Sequence, residues 1–208
     1  MSVSSASLDF LSPAAAADTV VARSPMEPLA RAAGARLEIR DGWNVAVDYP
    51  GEGSVGETVA WADVSHLRKL ELQGEGVGGM LRSARRGGDA WVCPLTPSRV
   101  LIIGGADASP QNAIDVTTCF AALTIFGPQA REVIARFCAL DLRPQVAPPG
   151  SFRPGSIARQ PGMILVQAEQ RFLLLFGWAV GEYMWTVVED AGRHLGGRPA
   201  GTEALGDA

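Results

Sequence analysis

Positive charge, histidine and cysteine are all scarce in this chain. Lys and Arg total 18 against 22 Asp and Glu, a formal net charge of −4. A general nucleic-acid binder displaces counterions with clustered cations, so this balance argues against nucleic acid as a partner. Only three cysteines occur, Cys93, Cys119 and Cys138, an odd number without a CxxC pair. No zinc knuckle or disulfide framework is readable. The three read as small buried hydrophobes in a reducing cytoplasm. The only two histidines, His66 and His194, lack partners at ligand spacing, so no metal site is expected. His66 opens a strand and His194 lies near a helix end, where its charge complements the dipole; both read as structural. No apolar run approaches the ~18 residues of a membrane span, and no membrane association is expected. GxSxG, HExxH and P-loop motifs are all missing.

What is abundant is glycine and proline. They number 24 and 14, or 38 of 208 residues, against about 12% in average usage. Many tight turns follow, which excludes an all-helical bundle. Apolar residues make up 47% and charged residues 19%, the composition of a globular chain rather than a disordered one. The length suffices to bury a core without disulfides or metals.

Residues 1–23 are rich in Ala and Ser, carry no signal-peptide pattern, and read as a disordered N-terminal tail. Ser24-Pro25 is a helix start, and MEPLARAAG a helix ending at Gly34. ARLEIRDGWNVAVDY gives two strand-like runs about the Asp41-Gly42 turn pair. Gly51 to Gly56 reads as loop, HLRKLELQG as a strand and MLRSARR as a short helix. AWVCPL and RVLIIGG form a hairpin about Thr96-Pro97-Ser98. In the second half ALTIF is a strand, Gly127-Pro128 a turn, and QAREVIARFCAL an amphipathic helix presenting Val133, Ile134 and Phe137. Pro144 to Pro154 reads as loop. SIARQ, MILVQA and RFLLLFG read as strands, and Gly181 to Leu195 as a helix capped by Gly196-Gly197. The class is α+β with antiparallel sheets.

An internal echo divides the chain. Asp63-Val64-Ser65 precedes a strand ending at Gly74, and Asp115-Val116-Thr117 precedes one ending at Gly127. Gly74-x-Gly76-x-x-Gly79 fits the dinucleotide fingerprint literally. Only a short segment separates it from Gly87, and the next strand belongs to a hairpin rather than a βαβ crossover, so a flexible turn is the better reading. Arg82, Arg85 and Arg86 form a basic run that reads as a solvated helix face, or as a holder for a polyanionic tail. The five tryptophans read mostly as core.

Beyond these patterns the sequence carries a resemblance. SPMEPLARAAGARLEIRDGWNVAVDY, VAWADVSHLRKLELQG, ALTIFGPQAREVIARF and YMWTVVEDAGRHLGGRPAGTEAL resemble segments of the glycine-cleavage T-protein (aminomethyltransferase) family. The Asp-Val-Ser-His segment is the most specific. VCPLTPSRVLIIGG and CALDLRPQVAPPGSFRPGSIARQ resemble more closely the gamma subunit of heterotetrameric sarcosine oxidase, a reduced relative. The resemblance implies one T-protein-like domain over residues 24–205, with pseudo-repeated halves of about 24–112 and 113–205 and flanking helices, and without the C-terminal T-protein domains. It implies a cytoplasmic protein that binds tetrahydrofolate and moves a one-carbon unit from a small amine substrate. The alternative is a non-catalytic subunit beside larger flavoprotein chains. By alignment to the family, Asp89, after Gly87-Gly88, takes the catalytic aspartate's place, although the family's Ile-Asp-Asp-Leu context is missing. Glu169 aligns with the pterin-binding glutamate, although the flanking glycines are gone. The glutamate tail of folate would suit a basic rim, which Arg82, Arg85 or Arg171 would supply. A carboxylate can accept two hydrogen bonds from a pterin edge or stabilise an iminium, and an Asp carboxyl group can orient or protonate a departing amine.

Overall fold

The computed structural model describes residues 20–51, 57–105 and 110–206. Readings on residues 1–19 and 52–56 lie outside these. The strands are β1 (Ala22–Arg23), β2 (Arg36–Arg40), β3 (Trp43–Asp48), β4 (Ala60–Asp63), β5 (Lys69–Gln73), β6 (Arg85–Gly87), β7 (Ala90–Thr96) and β8 (Arg99–Gly104). They continue with β9 (Ile114–Asp115), β10 (Phe120–Phe126), β11 (Phe152–Ile157), β12 (Gln160–Ala168), β13 (Arg171–Gly177) and β14 (Arg198–Pro199). The helices are α1 (Glu27–Ala32), α2 (Ala130–Ala135) and α3 (Gly181–Arg193).

A six-stranded sheet runs β11-β12-β13-β10-β4-β14, a five-stranded sheet β6-β7-β8-β5-β9, and a small third sheet β1-β3-β2. Period-two alternation assigns each strand face to a layer. Leu123 and Ile125 of β10 and Phe172, Leu174 and Phe176 of β13 face a core shared with α1, α2 and α3. Their neighbours Ala122, Phe126, Leu173 and Leu175 face a second core, shared with Cys93, Leu101 and Ile103 of the five-stranded sheet. The molecule is therefore layered as helices, six-stranded sheet, five-stranded sheet, an α+β arrangement as the sequence implies.

The internal echo has a physical basis. The orders β6-β7-β8-β5 and β11-β12-β13-β10 match, and each sheet is extended by a strand from the other half, β9 or β4. Asp63 Oδ1 accepts from the Ser65 N–H at 2.9 Å, and Asp115 Oδ1 from the Thr117 N–H at 2.9 Å. These are paired Asx turns. Val64 N–H then donates to Ala122 O, and Val116 N–H to Lys69 O, both at 2.9 Å. In return, Ala122 N–H donates to Ser65 Oγ and Lys69 N–H to Thr117 Oγ1, each at 3.0 Å. The first half thus docks on the opening of β10, and the second on the opening of β5.

Other expectations need correction. Ser24 is not the cap of α1; Met26 is. Ser24 Oγ instead accepts from Met26 N–H and lies 3.4 Å from Ser65 Oγ. MLRSARR is not helical. Arg82 adopts φ 65°, Ser83 bridges to Ser151, and β6 pairs with β7. A seven-residue uncapped helix is marginal, and these backbone pairings supersede it. The basic run is accordingly a strand edge. SIARQ is not one strand: Ser156 and Ile157 end β11, Gln160 opens β12, and Ala158 and Arg159 turn between them at φ 48° and 64°. Pro154 lies inside β11, an edge strand, where a missing donor is tolerated. Cys119 is exposed, while Cys93 and Cys138 are buried. Trp61 and Trp185 are core, whereas Trp43, Trp91 and Trp178 are half-buried. Asp41-Gly42, Thr96–Ser98, Gly127 and the Gly196 cap stand where the sequence puts them.

Removing a buried acceptor leaves its donor unsatisfied, which costs about 1–3 kcal/mol. Ser65→Ala and Thr117→Val should each lower unfolding free energy by that amount in urea titrations. A loss under about 0.5 kcal/mol, typical of neutral surface changes, would contradict the reciprocal docking.

Candidate functional site

The reciprocal arms frame a cleft of about 840 Å³. The β2–β3 hairpin contributes Asp41 and Trp43, the turn before β5 contributes His66 and Arg68, and the second Asx arm contributes Asp115 and Thr117. Asp89, in the β6–β7 turn, completes the rim. Gly104 fixes this wall. Its N–H donates to Arg68 O at 2.9 Å. At φ 81°, a Cβ there would sit 2.8 Å from Asp89 O, so only glycine permits this approach.

Lys69 lies behind the cleft, fully buried. Its Nζ donates to Ser65 O at 2.9 Å and Leu67 O at 2.8 Å. These bonds wrap the His66–Arg68 turn around the ammonium, which sets how His66 and Arg68 face the cleft. Burial pulls the ammonium down to about 8, against the opposing attraction of Asp63 and Asp115. Burial pushes Asp63 up. For Asp115 burial acts in the same direction, but hydrogen bonds from Thr117 and the charges of Arg68 and Lys69 outweigh it and hold the carboxyl below its ordinary value. His66 is pushed down to about 4, by burial first and by Lys69 next, against Asp41. At neutral pH the cleft therefore presents a neutral imidazole, ionised Asp115, the Arg68 guanidinium and the Trp43 ring. Trp43 in turn packs on Trp178 with centroids 5.9 Å apart.

Of the residues singled out from the sequence, Asp89 lies on this cleft, exposed. Glu169 and Arg171 do not line it. Glu169 is exposed on the β12–β13 turn, where its carbonyl accepts from Arg131 Nη2 at 3.1 Å. Arg171 pairs in the ladder with Phe126 and donates from Nη1 to Leu205 O at 3.1 Å. The two acids therefore do not share a cavity. His66, assigned only a structural role from the sequence, lines the cleft; Asp41, Trp43 and Thr117 were likewise not marked as site residues. The paired Asp-Val-Ser-His and Asp-Val-Thr segments were the signal for His66 and Thr117, while Asp41 and Trp43 showed only a turn and strand pattern. Loop 74–79 carries no helix start behind it, and Gly78 N–H donates to Pro97 O at 3.0 Å. The glycine pattern is a turn, not a phosphate cradle. His194 caps α3 from the surface. Among the described residues no cluster of His, Cys, Asp and Glu is placed to hold a metal ion, and no helix is long and apolar enough to cross a membrane.

The shifted imidazole makes a pH prediction. The unfolded chain takes up the His66 proton near 6.5 and the folded chain only near 4. The unfolded state binds more protons in that window, so stability falls as pH drops through it. His66→Gln should flatten this acid limb by about 1–3 kcal/mol, read as the difference between urea unfolding at neutral pH and close to pH 4. Parallel acid limbs for parent and variant would overturn the assignment.

No known family profile and no curated protein matches the sequence. Solved structures do. A chain of the heterotetrameric sarcosine oxidase from Corynebacterium sp. U-96, solved with pyrrole 2-carboxylate, superposes with a TM-score of 0.63 at 18% identity. The match covers 83% of this chain and 95% of that one. The glycine cleavage system aminomethyltransferase T from Bartonella henselae superposes with a TM-score of 0.65 at 15% identity, covering 88% of this chain. This chain spans 60% of that enzyme's length. Layering, strand order and these superpositions together establish a T-protein-like fold for the chain.

Proposed function

We propose that the chain is a gamma-type subunit of a heterotetrameric, sarcosine-oxidase-like flavoprotein. The observation that carries this reading is the position of Glu169, on the β12–β13 turn and away from the cleft that Asp89 lines. A pterin gripped by both acids needs them in one cavity, and only Asp89 lines the cleft. In this role the domain is a scaffold for larger flavin-bearing chains that act on a small methylated amine. Purification of the tagged full chain from its native host should bring down larger chains with flavin absorbance in near-stoichiometric amount. Elution of the chain alone, free of flavin, would falsify the subunit reading.

The cleft favours a second reading, a tetrahydrofolate site for one-carbon transfer from an amine. Its volume of about 840 Å³ falls within the ~300–1,000 Å³ of small-molecule sites. Trp43 offers a flat apolar wall, and Asp115 and Asp89 offer acceptors. Tetrahydrofolate, when bound, supplies the acceptor for the one-carbon unit. Asp89 would offer its carboxylate to an amine at the rim of the cleft. Under this reading Asp89→Asn weakens tetrahydrofolate about tenfold by removing a charge-assisted hydrogen bond. Glu169→Ala, outside the cleft, leaves affinity unchanged. Titration calorimetry decides. Equal losses in both variants would move the site away from this cleft, and no binding at all would remove the reading.

A further inference from the structure

Most exposed guanidinium groups in this chain are neutralised at short range. Arg31, Arg36, Arg40, Arg99, Arg136, Arg143 and Arg193 each pair with a carboxylate. Arg159, on the β11–β12 turn, has no carboxylate partner among the described residues; neither do Arg82, Arg85, Arg86 and Arg153. The latter four gather along one seam, where edge strand β6 of the five-stranded sheet meets edge strand β11 of the six-stranded sheet. Ser83 and Ser151 bridge it. Ala84 N–H donates to Gly150 O at 2.7 Å, and Phe152 N–H to Arg82 O at 3.0 Å. Arg153 straps the seam, donating to Arg82 O at 3.0 Å and Val146 O at 2.7 Å. Its charge is left uncompensated. Arg86 donates to Gly88 O, and its charge reaches Arg171, where it adds to burial in pushing that guanidinium down.

Beside these cations stand exposed apolar side chains. Met80 is 77% exposed, Leu81 47% and Val146 39%, three of the seven large exposed hydrophobics among the described residues. Arg153 ties Val146 to Arg82, next to Leu81, so the apolar and basic groups form one surface. Methionine and arginine together are the composition of an interface core. A small polyanion would neutralise the arginines and leave Met80 in water. An acidic protein surface with apolar residues at its centre covers both.

We infer that this seam is the docking surface for an acidic patch on a larger partner chain. The inference rests on the subunit reading above and adds the face and the sign of the contact. Opposite charges across such a contact speed association, and like charges placed there cost affinity.

The test uses the tagged full chain in its native host, with flavin absorbance of the purified complex as readout. Arg82→Glu/Arg85→Glu should cut captured flavin at least about tenfold by like-charge repulsion. Met80→Asp should act in the same direction. Arg159→Glu, an exposed reversal on the β11–β12 turn, should leave capture at the parental level. Thermal melting of each free variant should match the parent, since all these side chains are exposed. Parental flavin capture by the double variant would overturn this surface while leaving the subunit reading in place. No flavin-bearing chain with the parent would overturn both. A parent that self-associates through these residues, with a monomeric double variant, would replace the larger chain by a second copy and so overturn the stated partner.

Discussion

The structure depends on an exchange of hydrogen bonds between two Asx turns. Each turn belongs to one half and completes the first backbone pairing of the other half's leading strand. Ser65 Oγ and Thr117 Oγ1 are the acceptors for the β10 and β5 openings. The strands following each turn then take up the same order in their sheets. Because the two contacts are reciprocal, neither half completes its sheet alone. β4 pairs with β10 and β9 with β5, so each half contributes an opening strand to the other.

The frame is symmetric, but what fills it is not. Ala122 occupies in the second half the place that Lys69 holds in the first. A methyl group packs there without demand, whereas the ammonium has to be solvated by Ser65 and Leu67 carbonyls. That solvation organises the turn bearing His66 and Arg68, and it builds the cleft on one side only. The segments after the two leading strands also differ. Gly127, at φ 108°, leads into α2, which packs Val133 and Ile134 into the helical core. Gly74 leads into the glycine-rich loop and β6 instead. With no helix in that loop, the Arg82–Arg86 segment runs along the sheet edge rather than around a helix.

Legibility from sequence followed the range of the interactions. Turns set by local backbone chemistry, such as Asp41-Gly42, Thr96–Ser98 and the Gly196 cap, were readable because the residues that make them are adjacent. The echo of Asp-Val-Ser and Asp-Val-Thr was readable as a repeat. Its meaning was not, because the bond partners Ala122 and Lys69 lie 57 and 48 residues away. MLRSARR misled for the same reason. Its composition permits a helix, and only contacts with residues 150–152 decide against one. Asp89 was reached by alignment to a strand pair that the structure preserves, and it does stand on the cleft. Glu169 was aligned through a turn whose glycines are gone, and it lies outside. His66 lies in the Asp-Val-Ser-His segment, yet its place on the cleft was not legible, because the walls around it come from segments distant in the chain.

The same symmetry explains why fold alone does not assign chemistry here. The openings of β5 and β10, with the ends of β8 and β13 at Gly104 and Gly177, are equivalent corners of the two sheets. Each has a cavity. The first, of about 840 Å³, is lined by Asp89, Asp115, His66 and Arg68. The second, of about 420 Å³, is lined by Phe120, Pro161, Met163, Val180, glycine backbone and one polar side chain, Gln160. The first corner carries ionisable side chains, while the second carries none. Trp43 and Trp178, packed on each other, stand between the polar cleft and the segment leading to Val180. A ligand in the first cavity therefore meets a rigid aromatic wall whose far side is already occupied by the second half. The difference between the corners arises from side chains on equivalent strand ends and from the β2–β3 hairpin, which supplies Asp41 and Trp43 to the first corner alone.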